Sequence, residues 1–219
     1  MFTGFTVETQ QFMEGLLFHN EKPWFEAHKE EFEKHLRLPF RELALDTQEK
    51  MAERFPKFAN DLHIARIYRD ARRLFGRGPY KEHLWFSLET PGGKETGPAL
   101  WFEVGAEGFG LGNGIWGAPS VMAQWRKAID ADPAGFLRMA EKTVRGGPFA
   151  FYGERYSRPK GHEGVPLDTW YNRKAIGLEM RGDFEGILLS PDLPDFICDS
   201  FSVLLPLTEF MRKVTVGVE

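Results

Sequence analysis

The first sixty residues carry apolar side chains at the three- and four-residue spacing of amphipathic helices. One such pattern ends near Asn20. The next begins at Pro23, and a third runs from Pro39 to Pro56. Proline is accepted at a first helical position and disfavoured inside a helix, so these prolines mark helix boundaries. The pattern therefore predicts three N-terminal helices.

After residue 62 the apolar residues alternate with a period of two, which is typical of β-strands. The strand patterns cover residues 63–70, 83–88, 99–104 and 175–180. A loop that contains glycine and proline follows the first strand at 74–79. The turn at 91–97 carries Lys94 and Glu95, so we expect it to be a solvent-facing hairpin tip. Hairpin connections of this kind favour antiparallel pairing.

Four glycines alternate in the segment 107–116: Gly108, Gly110, Gly112 and Gly114. In a strand they share one face and leave it bare, so that a helix, another backbone or a ligand can approach closely. Residues 112–117 also match the pattern G-x-G-x-x-G. A dinucleotide fold requires a βαβ unit around that pattern, and here one helical pattern follows another, so we do not expect dinucleotide binding.

Helical patterns return in the C-terminal half, starting at Pro119 and Pro133, with a short helix at 168–173. A closing helical region covers 191–212, and we expect it to break near Pro206. Helices at both ends of a run of hairpin-linked strands predict an α+β fold. We expect a central, mainly antiparallel sheet flanked by N-terminal and C-terminal helices, in a single domain spanning 1–219.

The net charge of −4 and the isoelectric point near 5.9 make a dedicated nucleic-acid-binding protein unlikely, because phosphate contacts normally make such a domain basic. No apolar run is long enough to cross a bilayer, and the N-terminus lacks the features of a secretory signal. The lone Cys198 sits in an apolar context and suits a reducing compartment. We therefore expect a cytoplasmic protein without membrane contact, and the oligomeric state stays open.

Positive charge gathers in the middle of this acidic chain. Residues 63–83 carry six Lys or Arg against two acids, a balance of +4, whereas the segments on either side are each −4. Arginine binds phosphate and carboxylate well because its planar fork donates two parallel hydrogen bonds and keeps its charge. The surplus predicts an anion-binding site. A network of ion pairs with acids of the N-terminal helices is the structural alternative.

A second basic stretch, 155–160 with Arg173 and Lys174, could converge on the first and form one cleft, with Tyr152 and Tyr156 adding aromatic stacking. We expect eight residues to hold the anion: Arg66, Arg69, Arg72, Tyr80, Lys81, Arg126, Arg158 and Arg173. Asp70 would orient the arginines. Asp70 and His83 are the candidates for proton transfer, since His83 shares a strand face with Lys81.

The six histidines include no H-x-H or H-E-x-x-H pair, and one cysteine cannot form a thiolate zinc site, so no metal site is predicted. No hydrolase elbow or Walker A signature occurs either. The residues point to no particular cofactor.

Five blocks carry a resemblance to a known family: NEKPWF, RIYRD, PYK with His83, GNGIW and RPKG. Together they resemble a conserved hypothetical family, domain of unknown function 2461, over residues 5–211. Between Arg72 and Pro79 the family pattern is Phe-Ser-(basic)-Asp-Lys-Ser/Thr, and this chain departs from it with RLFGRG, which removes a carboxylate and a hydroxyl. The resemblance implies a single domain and supplies no activity, cofactor or catalytic residue.

Two functional hypotheses follow from the sequence. The first is a basic pocket that binds a phosphorylated or carboxylated small molecule, with hydrolysis or transfer as an open extension. The second is a non-enzymatic module whose positive patch docks an acidic protein or nucleic acid, with affinity that falls steeply with salt.

Overall fold

The computed structural model describes residues 1–92, 98–115 and 119–215, apart from the side chain of Arg73. The predicted hairpin tip with Lys94 and Glu95, and Trp116 of the GNGIW block, lie outside these residues.

The α+β prediction is confirmed. The helices are α1 (Val7–Phe18), α2 (Lys22–Ala27), α3 (Lys29–Glu31), a π-helix (Phe32–Arg37), α4 (Leu38–Arg54), α5 (Pro119–Ala131), α6 (Pro133–Arg145), α7 (Asp168–Tyr171) and α8 (Leu193–Thr215), with short 3-10 turns at Ala71–Arg73 and Gly186–Leu189.

Six strands form one sheet in the order β1-β2-β3-β4-β6-β5, and every neighbouring pair is antiparallel. Their bounds are β1 (Asp61–Ile64), β2 (His83–Glu89), β3 (Ala99–Gly105), β4 (Gly108–Ile115), β5 (Ala150–Tyr152) and β6 (Ile176–Asp183). The first predicted strand is shorter than expected. It ends at Ile64, and the chain beyond it meets the sheet edge through single contacts such as the bridge between Tyr68 and Tyr80.

The helices cover one face of the sheet, because the alternate strand residues on that face are large and apolar. Phe86 of β2 and Phe102 of β3 stack at 5.7 Å, and Phe40 of α4 packs edge-on against Phe86 at 5.8 Å. Buried residues from Phe2 to Val214 join this one core. The single-domain boundary stays a prediction.

One polar side chain on the helix-covered face is fully buried. Asn113 of β4 donates to the hydroxyl of Thr208 on α8 at 2.8 Å and accepts the amide N–H of Leu178 at 3.3 Å. A buried amide is tolerated only when its donor and acceptor are both used, and here they are. The contact fixes α8 over β4.

Two predicted helix boundaries were wrong. Pro39 lies inside a continuous helical run, at the point where the π-helix meets α4. The carbonyl of His35, four residues before Pro39, cannot be paired by the proline and instead accepts the Thr9 hydroxyl at 2.6 Å. Pro206 likewise lies within the continuous helix α8, on its exposed side.

Candidate functional site

Arg69, the centre of the predicted anion site, is already bound to protein groups. Its guanidinium lies 3.0 Å from the Glu82 carboxylate and donates through Nε to the carbonyl of Tyr80 at 2.7 Å. The side chain is only 10% exposed. Arg69 therefore has the contacts of a residue that fastens the 79–82 segment to the sheet edge.

Asp70 and Arg72 form a local pair. Asp70 accepts the backbone N–H of Arg72 at 3.0 Å and pairs with both Nε and one terminal nitrogen of its guanidinium, at 3.0 and 2.7 Å. The Arg72 side chain is 87% exposed. Asp70 thus orients one arginine, as expected, but it does so by capping the 3-10 turn that follows it.

Tyr80 belongs to the core. Its ring stacks on Phe25 at 4.1 Å, and the Asn20 side chain holds its backbone N–H and carbonyl, both at 3.0 Å. Burial raises the pKa of Tyr80. Two of the sequence blocks that carry the family resemblance, NEKPWF and PYK, meet at this contact, so their packing role is evident.

Lys81 is partly buried beside the sheet. Its ammonium donates to the carbonyl of Arg66 at 2.8 Å and lies 5.7 Å from the ring centre of Trp85. Burial lowers the pKa of Lys81, and the Arg66 and Arg69 guanidiniums lower it further. This ammonium is therefore held between a carbonyl and an aromatic face.

Arg66 lies elsewhere, at the rim of a hollow on the helix-covered side of the sheet edge. We call this hollow the basic pocket. It has a volume of about 520 Å³ and lies between the π-helix, the start of α4 and the chain leaving β1. Its charged residues are Lys29, Glu33, Arg37, Arg41 and Arg66, and its apolar lining includes Phe25, Phe32, Phe40 and Leu84.

The basic pocket has four cations and one acid. Glu33 is paired with Arg37 at 2.5 Å. Within the described residues, the side chains of Lys29, Arg41 and Arg66 form no ion pair and no hydrogen bond. Among the described residues, the lining therefore has a charge of +3, carried by three cations that have no carboxylate within ion-pair distance.

The second basic stretch lies at the opposite corner of the sheet. The Arg66–Lys81 segment meets the β1–β2 edge near the start of β2. At this end of the sheet β2 begins at His83, β3 ends at Gly105, β4 begins at Gly108 and β6 ends at Asp183. Arg155 and Arg173 bridge each other beyond the other end of β5 and β6, at the far edge. The expected common cleft is therefore not formed.

Three cations of that corner, Arg155, Arg173 and Lys174, have partners of their own. Arg173 donates to the carbonyls of Thr169, at 3.1 Å, and of Gly153. Burial lowers the pKa of Arg173, and the neighbouring Arg155 adds to the effect. Arg158 is exposed.

Arg126 packs between two tyrosine rings. Its guanidinium lies 5.6 Å from the ring centre of Tyr156 and 6.0 Å from that of Tyr171. One terminal nitrogen is buried and has no hydrogen-bond partner among the described residues. Arg126 is thus also remote from the basic pocket, whose lining does not include it.

His83 lies on the face of the sheet opposite the helices. Its Nε2 is 3.9 Å from a carboxylate oxygen of Glu103. Burial lowers the pKa of His83, although the Glu103 carboxylate acts to raise it. The cations Lys81 and Arg69 lower this pKa further. A neutral imidazole at this position can accept a proton, but neither His83 nor Asp70 lines the basic pocket.

Sequence reasoning missed three cations of the basic pocket, Lys29, Arg37 and Arg41, because they lie on the polar side of the N-terminal helices. Lys29, Glu33, Arg37 and Arg41 follow one another at a spacing of four. Residues four apart share a helix face, so this mostly basic stripe was the available signal. Pairing it with Arg66 required the tertiary structure.

No group of three or more His, Cys, Asp or Glu side chains in the described residues could hold a metal ion. No helix within 1–92, 98–115 or 119–215 combines the length and apolar character needed to span a membrane.

None of the curated proteins compared with this sequence matches it. A model of the conserved hypothetical protein family DUF2461 matches residues 8–210, which is most of the chain. The blocks NEKPWF, RIYRD, PYK, GNGIW and RPKG all lie within that range. The chain belongs to the conserved hypothetical protein family DUF2461.

Proposed function

We propose that the protein binds a small organic anion, phosphorylated or carboxylated, in the basic pocket. The observation that carries the proposal is the uncompensated charge of this hollow: Lys29, Arg41 and Arg66 have no carboxylate partner in the described chain. The four cations of the pocket are exposed, so solvent screens part of their mutual repulsion, and a bound anion reduces what remains. Arg41 and Arg66 can each donate two parallel hydrogen bonds to one anion.

The lining favours an organic anion over an inorganic one. Phenylalanine rings and Leu84 form the apolar wall beneath the cations. The volume of about 520 Å³ is in the range of small-molecule sites, which combine apolar walls with a few polar anchors. The π-helix contributes Phe32, Glu33 and Arg37 to this wall. Short π segments are frequent at functional sites.

The proposal concerns binding and includes no reaction. The two proton-transfer candidates, Asp70 and His83, lie outside the basic pocket, Asp70 in a pair with Arg72 and His83 beside Glu103. Docking of an acidic protein or a nucleic acid on the same cations is the alternative, and it predicts a different salt dependence.

The test is titration calorimetry with phenyl phosphate, pyrophosphate and citrate. Arg66→Ala and Arg41→Ala should each weaken binding of the best probe by about tenfold, the loss of roughly one charge-assisted hydrogen-bonded contact. Arg138→Ala is the matched control, because Arg138 is an exposed arginine on α6. Its affinity should equal that of the unaltered protein. Absence of binding by all three probes, or equal losses in Arg66→Ala and Arg138→Ala, would refute the proposal.

A salt titration separates the small anion from a macromolecular partner. Binding of a single phosphate group should depend weakly on salt, whereas an oligonucleotide releases several counterions and its affinity falls steeply. If a single-stranded oligonucleotide binds more tightly than phenyl phosphate and shows the steep slope, the docking alternative replaces the proposal.

A further inference from the structure

The sheet face opposite the helices has a chemistry of its own. The strand register places alternate residues there, including Trp85 and Glu89 of β2, which flank Ser87, and Trp101 and Glu103 of β3. The helices in the described residues pack on the other face. We call this surface the open face.

A groove on the open face is formed by side chains that lie over the glycine column of β4. Gly110 pairs with Glu103 and Arg181, and Gly112 pairs with Trp101 and Glu179, so the glycines share a face with those side chains. A Cβ on Gly110 would lie 3.1 Å from the Arg181 guanidinium and 3.2 Å from the Trp101 ring, and one on Gly114 would meet the Tyr152 hydroxyl. The close approach that the alternating glycines predicted is therefore made by side chains of the protein itself.

The groove is a cavity of about 430 Å³. Its main walls are formed by Trp85, Trp101, Tyr152, Glu89, Glu103 and Glu179. At the β3–β4 turn it continues into a second hollow of about 570 Å³, with which it shares His83, Glu103 and Arg181. The size suits a small-molecule site.

The groove has a negative charge. The Arg181 guanidinium forms ion pairs with two carboxylates, Glu103 at 2.8 Å and Glu179 at 3.1 Å. Glu89 accepts only the hydroxyl of Ser87, at 2.7 Å, among the contacts the structure gives it. With His83 neutral, the described residues that line the groove carry three carboxylates and one guanidinium, a charge of −2, and the Lys81 ammonium lies outside this lining.

The walls add aromatic faces. Trp101 is nine-tenths buried, and its ring meets that of Tyr152 edge-on at 6.3 Å. Trp85 already has a cation near its face, because the ammonium of Lys81 lies 5.7 Å from its ring centre. The protein thus uses an aromatic ring of this face to hold an ammonium group of its own.

We propose that the groove binds a small organic cation, an amine or a quaternary ammonium compound. Carboxylates neutralise such a ligand, and aromatic faces attract it more strongly than they attract a neutral molecule of the same shape. A neutral polyhydroxyl compound would use the aromatic walls but leave the carboxylate surplus uncompensated. This site is separate from the basic pocket and selects the opposite charge.

The test compares choline with 3,3-dimethylbutan-1-ol, which has the same shape and no charge. Binding is measured by calorimetry and by tryptophan fluorescence. The affinity for choline should be about tenfold or more above that for the alcohol. Glu89→Gln keeps the size and the contact with Ser87 and removes a charge, so it should weaken choline binding several-fold. Glu53→Gln, an exposed change on α4, is the control with the same loss of charge.

Removing the cation of the groove gives a prediction of opposite sign. Arg181→Gln should strengthen choline binding several-fold, because it frees Glu103 and Glu179. Equal affinities for choline and the alcohol, no choline binding up to its solubility, or weaker binding in Arg181→Gln would overturn the proposal. The basic pocket is tested separately, since Glu89→Gln should leave phenyl phosphate binding unchanged and Arg66→Ala should leave choline binding unchanged.

Discussion

Two glycines of the open face should respond very differently to the same added methyl group. A Cβ on Gly177 of β6 would lie 2.1 Å from a ring carbon of Tyr152 and 2.3 Å from the backbone carbonyl oxygen of Asn113. Ordinary carbon contacts are about 3.5–4.0 Å, so the ring would have to withdraw by about 1.5 Å, and the carbonyl belongs to the neighbouring strand. On Gly110 the nearest atoms are the ends of Arg181 and Trp101 at 3.1 and 3.2 Å, and a shift of a few tenths of an ångström suffices.

These distances set the expected magnitudes. Gly177→Ala overpacks a site that is bounded by backbone, so we expect it to lower the free energy of unfolding by about 3 kcal/mol. For a chain of this length that corresponds to a fall in melting temperature of about 6–12 °C. Gly110→Ala should change the free energy of unfolding by less than about 1 kcal/mol. Alanine has less backbone freedom than glycine in the unfolded chain, and this gain in stability offsets the cost of the small displacement.

Urea denaturation followed by tryptophan fluorescence, together with calorimetric melting, measures both variants. The midpoint should fall for Gly177→Ala and stay near that of the unaltered protein for Gly110→Ala. Gly177→Ala should also weaken choline binding, because the displaced Tyr152 ring forms a wall of the groove. Similar losses for the two variants, or a loss below about 1 kcal/mol for Gly177→Ala, would show that close packing against Tyr152 does not require glycine at position 177.

Two further predictions concern groups that the structure buries. Arg69→Ala should lower the free energy of unfolding by about 2 kcal/mol in urea denaturation, well beyond the effect of Arg66→Ala, because it leaves the Glu82 carboxylate and a backbone carbonyl without their donor; equal effects would contradict a structural role for Arg69. Burial raises the pKa of Cys198 to about 12, above the usual value near 8.5, so its contribution to stability is complete below about pH 8.5 and is lost as the pH rises towards 12. The urea midpoint of Cys198→Ala should therefore fall less between pH 8 and 11 than that of the unaltered protein, and parallel curves would contradict the prediction.

The fold class could be predicted because its signals are local. Alternating glycines define a strand face by spacing alone, and hairpin-length connections fix antiparallel neighbours. The wrong helix boundary at Pro39 depends on a distant contact. The carbonyl freed by Pro39 is satisfied by the Thr9 hydroxyl, from a helix that precedes it by some 26 residues. Sequence spacing around Pro39 contains no trace of that partner.

The candidate site could be predicted only in part, because counting charges does not reveal which of them are paired. Arg69 and Glu82 are thirteen residues apart and meet across the sheet edge. Arg66 stays without a carboxylate partner in the described chain, and the cations beside it come from helices that precede it in the sequence. Of the eight residues expected to hold the anion, only Arg66 lines the basic pocket, and the other cations of its lining were not among them.

The net charge of the chain gave no indication of two hollows of opposite sign. Consecutive strand residues point to opposite faces, so a run of sequence distributes its charges to both sides of the sheet. Leu84 of β2 lines the basic pocket, whereas its neighbours His83 and Trp85 line the groove on the open face. The proposed cation site on one side and the proposed anion site on the other therefore lie against the same strand. An overall charge of −4 is the sum over both faces and the remaining surface, and only the strand register separates the acidic groove from the basic pocket.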